Sequence, residues 1–443
     1  MDKFTRRVTA PAVNPYAPYD LRENPFPATP AAEYGSPDDR NNGRIYDPDI
    51  RPEKVAQFRD RFLRIPFGQP HILMGYLMSL GAVESTRGMG KTALLLHFAS
   101  ELNATFGPPL THEDQRVVAV YVSPSQGTKR LDQLSWLSTR AFLEQAGRDV
   151  WISLLLEASE RKYLTLPVDV DPDEVADLGV LEAKGADRQD LAKGAHSYLV
   201  ASGVAVELAD ALVSGWGDPM GVLGSLQAIS ERRRLALATT FFFDSIPSLL
   251  RAGGFTGMFW FVDELENVVN SQNSSDRIAW AKELRTQLVD ANTAARQYGF
   301  VFPVFVTHTG VNSILSQAWT RSGLDQFAPM YKETETFTVE LNELNADDSK
   351  RLLQVYLDHF RTDTSLAGQL DPFASDAVPR LARICNYHPR ELLRQAHLIL
   401  RRAAADGVER IDSKFVAGQA GLDEPKAAKP RKGSKAKAIL GIE

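Results

Sequence analysis

The chain has 443 residues, 44% hydrophobic and 24% charged. That is too long for one small core, argues for two or three packed units at about 150 residues each, and excludes wholesale disorder. The formal net charge of −6 excludes a protein that is basic as a whole, so any contact with DNA must come from a local patch. No apolar run reaches the ~18 residues of a membrane-spanning helix. The start, MDKFTRRVTAPAVNPYAPYD, has no apolar run behind its basic residues and is not read as a secretory signal. The lone Cys385 cannot form an internal disulfide, so a reducing, cytoplasmic compartment is expected.

Residues 1–50 are rich in Pro, Asn, Asp and Gly and read as an extended arm. PEKVAQFRDRFLRIPFG then places Val55, Phe58 and Phe62 at helical spacing. Leu77 to Val83 reads as a buried strand, joined by a glycine-containing loop to a helix from Lys91 to Leu102. RVVAVYVSPS, from Arg116 to Ser125, is a continuous valine-rich run, the pattern of a parallel strand covered on both faces. LDQLSWLSTRAFLEQ and SLQAISERRRLALATTFFFDSIPSLLRAGG are helical patterns, interrupted by VDVDPDE and SGWGDPMG, and about 150–235 reads as a helical insertion. Strands resume at GMFWFVDELEN and GFVFPVFVTHTG, and ETFTVELNEL starts as an edge strand. From Asp347 the pattern is helical, ending in the basic low-complexity tail EPKAAKPRKGSKAK. Strands alternating with helices, followed by helices alone, predict an α/β parallel-sheet domain with a C-terminal helical lid. The expected boundaries are an arm at 1–50, a nucleotide-binding domain at 51–340 carrying the insertion, a lid at 341–420 and a disordered tail at 421–443.

Ser85-Thr86-Arg87-Gly88-Met89-Gly90-Lys91-Thr92 matches the phosphate-loop pattern G-x-x-x-x-G-K-[ST] everywhere but its first position, where Ser85 stands for glycine. The chemistry needs these residue types. Gly88 and Gly90 let backbone N–H groups turn inward onto phosphate oxygens, and the following helix adds the positive end of its dipole. Lys91 is expected to reach the β- and γ-phosphates and the Thr92 hydroxyl to ligate magnesium, so Ser85 through Ala93 form the expected ATP-binding segment.

Phe259-Trp260-Phe261-Val262-Asp263-Glu264 is four apolar residues and then an acidic pair. At the carboxyl end of a buried parallel strand, Asp263 is expected to hold the magnesium and Glu264 to polarise the attacking water. Glu266 reads as a solvated loop carboxylate. The next strand ends in Thr307-His308-Thr309, where Thr307 is the expected contact to the γ-phosphate or the water and His308 reads as structural. His388-Pro389-Arg390 opens a helix, with Arg390 expected to reach the γ-phosphate from the lid. Arg321, about a dozen residues beyond the Thr307 strand, is a candidate arginine finger for a neighbouring subunit.

Together these residues resemble an AAA+ ATPase of the origin-recognition-like and ExeA-like branch. RGMGKT, WFVDELE, VTHTG and CNYHPRELLR occupy the order of Walker A, Walker B, sensor 1 and sensor 2. Leu21-Arg22-Glu23-Asn24-Pro25-Phe26, followed by Ala28-Thr29-Pro30, resembles the N-P-F segment that precedes the core in this branch and lies there near the nucleotide base. GGFTGMFWFVDELENV, the W-G-D-P turn before it, and FTVELNELNADDSKRLLQVYL with its following H-P-R helix look most like the ATP-binding proteins of BREX-type phage-defence operons. The resemblance covers about residues 20 to 405. It implies ATP and Mg2+ as cofactors, a homo-oligomer, double-stranded DNA as a partner and an effector protein encoded nearby, in phage defence or mobile-element control. Two features depart from the pattern: Ser85, and the lack of a winged-helix domain after residue 405. The alternative is an ATP-dependent switch that recruits a nuclease or methyltransferase without touching DNA. A P-loop kinase is disfavoured by the Asp-Glu pair and the helical lid. Lys426, Lys429, Arg431, Lys432, Lys435 and Lys437 in the tail favour DNA.

Overall fold

The structure is a computed structural model that describes residues 14–67, 74–79, 87–297, 299–330 and 337–420. It divides into two compact units, Ala31–Asn342 and the pair of segments Met1–Pro30 and Glu343–Glu443.

The larger unit is built on five strands: β1 (Gly75–Ser79), β2 (Val117–Val122), β3 (Gly257–Val262), β4 (Val301–His308) and β5 (Thr338–Glu340). Their order is β2-β3-β4-β1-β5 and every neighbouring pair is parallel. All residues of β1 to β4 are buried, as the continuous apolar runs require of strands covered on both faces. Of the strand expected at Leu77–Val83, residues 80–83 lie outside the described residues. One face, with Leu77, Phe261 and Val304, packs on the Lys91–Thr105 helix and on Phe58 and Phe62 of the segment begun by the Pro52–Phe58 helix. The other, with Met78, Trp260 and Phe305, packs on the helices that follow β2. Trp260 is fully buried and its Nε1–H donates to Ser138 Oγ at 2.9 Å. An indole of this size gains roughly 4–6 kcal/mol from burial at about 25 cal/mol/Å², as an upper figure.

Helices fill the crossover from β2 to β3 more completely than the expected insertion at about 150–235. They begin with Leu131–Gln145 and end with Ile246–Ala252. The reason is continuity of the core: Leu134 and Phe142 join the same cluster as Trp151, Leu199 and Leu212 farther along. The W-G-D-P turn is a packing knot within this block. Trp216 and Gly217 both have positive φ, 46° and 73°. A Cβ on Gly217 would lie 2.2 Å from the Trp151 ring. Trp216 meets Trp151 edge to face at 5.4 Å, and Asp218 caps the Pro219–Ala228 helix by accepting from Gly221 N at 2.8 Å. No helix among the described residues is long and apolar enough to cross a membrane.

The smaller unit packs the helices Ala346–Phe360, Ala377–Ile384, Pro389–Asp406 and Ser413–Ala420. The expected arm at 1–50 does not stay in one piece: its described residues up to Pro30 belong to this unit and those from Ala31 to the other. Leu21 and Phe26 are fully buried. Leu21 bridges Arg361, Arg22 N donates to Phe360 O at 2.9 Å, and Asn24 Nδ2 donates to His397 O at 3.1 Å. The Phe26 ring lies 6.3 Å from that of Tyr356 and 6.1 Å from that of Phe373. The N-P-F segment, which the resemblance puts near a nucleotide base, has its aromatic side chain in this helical core.

Candidate functional site

Parallel α/β sheets gather ligands outside the carboxyl ends of their strands, where the strand order reverses. Here β1 lies between β4 and β5, with β3 next to β4, so the ends of β1, β3 and β4 come together. Ser85 and Thr86 lie outside the described residues. From Arg87 the loop is visible. Gly88 and Gly90 have φ of 80° and 91°, in the left-handed region that glycine enters without strain. Between them Met89 is buried, and its carbonyl accepts from Arg51 Nη1 at 2.7 Å. The helix starts at Lys91 behind Gly90 and has no side-chain cap at its N-terminus, the positive end of its dipole. Ala93 lies in that first turn.

Lys91 Nζ donates to Ser79 Oγ, at the end of β1, at 2.6 Å. Thr92 Oγ1 donates to Asp263 Oδ2 at 2.6 Å, joining the start of the helix to the end of β3. Asp263 is only 2% exposed. Its Oδ2 also accepts from the Tyr121 hydroxyl at 3.0 Å and its Oδ1 from Glu264 N at 2.8 Å. Burial first, and Asp263 second, hold the Tyr121 phenol far above its ordinary range, so it remains a donor. A hydroxyl and a buried carboxylate oxygen at this separation form a hard-oxygen pair that fits Mg2+, with room left for phosphate oxygens and water. The two positive-φ glycines and the uncapped helix start fit a polyphosphate. Among the described residues no group of three or more His, Cys, Asp or Glu could hold a metal.

Glu264 is exposed and has φ of 47°, a strained conformation for a residue with a Cβ. Its Oε2 accepts from Asn267 Nδ2 at 3.1 Å, and the same amide donates to Pro124 O at 2.9 Å, in the loop leading from β2 into the helical block. Beside these residues is a cavity of about 490 Å³ lined by Thr92, Asp263, Glu264, Tyr34, Tyr121 and Arg140.

The structure does not bring Thr307 to the face of the sheet that carries Lys91. Strand alternation puts it on the side of Phe305, toward the helical block, fully buried and with Oγ1 unpartnered among the described residues. His308, which the sequence reading set aside as structural, pairs in register with Ser79. Its Nδ1 accepts from Gly310 N at 3.2 Å as the N-cap of the Thr309–Ser322 helix. Burial, then the charges of Lys91 and Arg87, lower its pKa. Nor is Glu266 solvated: its side chain is 12% exposed, its Oε1 lies 3.6 Å from His308 Nε2, and burial raises its pKa. Arg321 is exposed in the last turn of the Thr309–Ser322 helix. At ~1.5 Å rise per residue that puts it roughly 20 Å along the axis from His308. Arg390 is the second residue of the Pro389–Asp406 helix in the smaller unit, behind the N-cap His388. Tyr121 and His308 had no local signal; only the register of β2 on β3 and of β4 on β1 reveals them.

No family model matches the chain, and no curated protein matches it in sequence. Three solved structures are similar to it at low TM-score. An ORC chain of Drosophila, from a structure of ORC bound to DNA, matches at a TM-score of 0.35 and 11% identity, over 95% of this chain and 68% of its own. The ORC2 protein of Aeropyrum pernix, in ADPNP–ADP complexes, matches at a TM-score of 0.40 and 12% identity, over 87% and 72%. A Walker-type ATPase of Pyrococcus abyssi matches at a TM-score of 0.36 and 11% identity, over 86% and 72%. The chain itself has an α/β fold: a five-stranded parallel sheet flanked by helices, with a helical insertion between β2 and β3 and a C-terminal helical region.

Proposed function

We propose that the chain binds ATP with Mg2+ and hydrolyses it, working as a homo-oligomer with double-stranded DNA and a nearby-encoded effector, in phage defence or mobile-element control. One observation carries the ATPase reading: the 2.6 Å contact between Thr92 and Asp263, two residues 171 positions apart that meet beside the glycine turn. Structural economy alone does not call for a threonine hydroxyl on a buried carboxylate at the mouth of such a turn; cation-assisted phosphate binding does.

In this reading Lys91 leaves Ser79 Oγ for the β- and γ-phosphate oxygens, and the Arg87–Ala93 backbone wraps them. Thr92 Oγ1 and Asp263 Oδ2 hold the cation, which when bound neutralises developing charge on the phosphate oxygens. Tyr121 keeps Asp263 in place. Glu264 takes the proton of the attacking water, and its release from Asn267 precedes that step. His308 takes the polar role at the end of β4 that the sequence alone assigned to Thr307. Arg321 serves a neighbouring copy's site. DNA association draws on the resemblance and on the basic tail, whose residues lie outside the described ones.

Wild-type protein should hydrolyse ATP with magnesium, and the rate should rise with double-stranded DNA. Lys91→Ala should abolish ATP binding in isothermal titration. Glu264→Gln should bind ATP but turn over ~10²-fold or more slower. Unchanged affinity in Lys91→Ala refutes the nucleotide site. A rate indifferent to DNA in an active enzyme refutes the DNA-dependent reading and favours the effector-recruiting switch.

A further inference from the structure

We infer that Glu266 is a positioning residue of this site, whose buried carboxylate orients the His308 imidazole from the neighbouring strand end. The inference rests on the ATPase reading above and deepens it. Glu266 follows β3, His308 closes β4, and these strands are neighbours. The two side chains are 12% and 6% exposed, with Glu266 Oε1 3.6 Å from His308 Nε2. The other ring nitrogen is committed, because Nδ1 accepts from Gly310 N at 3.2 Å. The neutral ring therefore carries its proton on Nε2, the nitrogen that faces the carboxylate. A carboxylate that fixes the tautomer and tilt of a working imidazole is a recurrent arrangement.

Local structure satisfies the carboxylate only in part: a hydrogen bond from its own backbone, at the start of the Glu266–Asn270 helix, favours the ionised form. Glu266 Oε2 is buried without a hydrogen-bond partner among the described residues. A buried, incompletely satisfied carboxylate is costly, and burial is the main cause of its raised pKa. The charges of Asp263 and Glu264 oppose its ionised form and that of Lys91 favours it. So Glu266 sits in the electrostatic field of Lys91, and the His308 ring 3.6 Å from it lies in the same field. A cost only partly offset, at a place where charge is organised, marks a functional group.

The test is a double-mutant cycle on turnover, with ATP affinity and melting temperature measured in parallel. Glu266→Ala should lower kcat by about 10- to 100-fold, the usual scale for such outer partners, while its melting temperature holds or rises. In the His308→Ala background the same substitution should cost less than about twofold, because the carboxylate acts through the ring. Glu266→Gln, which keeps an acceptor oxygen, should recover most of the loss and serves as the readout if the alanine variant misfolds. Equal losses with and without His308, or a lower melting temperature with unchanged kcat, overturn the inference. A wild type that hydrolyses ATP while the cycle is additive sinks this inference alone. A wild type with no turnover removes the ATPase reading and the inference with it.

Discussion

Replacing Asp263 by Asn separates a cation-holding carboxylate from one that merely braces the loop. Three donors converge on Asp263: Thr92 Oγ1 at 2.6 Å and Tyr121 OH at 3.0 Å on Oδ2, and Glu264 N at 2.8 Å on Oδ1. An amide offers one acceptor oxygen and two N–H donors. With its oxygen toward Glu264 N, the NH2 faces both hydroxyls, and Tyr121 must accept where it donated. Flipped, the NH2 meets the Glu264 N–H in a pocket only 2% exposed. Either way at least one charge-assisted bond is lost, worth about 1.5–3 kcal/mol, and the cation loses its one anionic protein ligand. If the lost contact between the carboxylate and the cation is itself worth about 1.5–3 kcal/mol, affinity for ATP should fall roughly 10- to 100-fold in magnesium, at about 1.4 kcal/mol per decade. Titration of a fluorescent ATP analogue in magnesium and again in EDTA measures both terms. In EDTA the loss should stay within about threefold, since phosphate contacts through the loop and Lys91 are untouched. An equal loss in both buffers would mean that Asp263 shapes the loop and holds no metal, and no loss in either would refute the site.

Three further outcomes are expected. Glu264→Gly should relieve the positive φ of 47°, stabilising the protein by about 1 kcal/mol in thermal melts while abolishing turnover; a lower melting temperature would show that the conformation is not strained. Cys385 is buried and its thiol is pushed up to about 12 by burial and then by Glu391, so iodoacetamide at pH 8 should label it only on unfolding, and prompt labelling of native protein contradicts that burial. Arg321→Ala should keep ATP affinity and lose turnover, with activity partly restored on mixing with Lys91→Ala protein; a mixture no more active than its parts refutes a role in a neighbouring site.

What the sequence made legible was what is local. Three valine- and phenylalanine-rich runs, those of β2, β3 and β4, read as buried parallel strands, and the R-G-M-G-K-T turn and the Asp263-Glu264 pair stand out within a few residues each. What it hid depends on pairing. Thr307 and His308 are adjacent and both polar, and which one shares a face with Lys91 is decided by strand parity at the end of β4. Tyr121 looks like strand filling until β2 pairs with β3 in a register that sets Tyr121 against Phe261, two residues before Asp263. Glu266 looks like a loop carboxylate because His308, the group that faces it, lies on the neighbouring strand β4, distant in sequence. The composition of residues 1–50, rich in Pro, Asn, Asp and Gly, reads as a loose arm because it masks two apolar side chains, Leu21 and Phe26, that are fully buried.

The division of the smaller unit between the two ends of the chain has a consequence for its biosynthesis. His397 Nδ1 meets Phe26 O across 371 positions. Closing a loop of that length in an unfolded chain costs roughly 5 kcal/mol in chain entropy beyond a constant term. A ribosome releases Leu21 and Phe26 first and their helical partners last, so these apolar side chains must wait while everything from Ala31 to Asn342 is made. If that intervening unit folds as it emerges, it replaces a long flexible loop by a rigid body before the last helices appear, and the closure penalty shrinks accordingly. Early folding of the Ala31–Asn342 unit then shortens the time for which Leu21 and Phe26 stand exposed as a liability for aggregation.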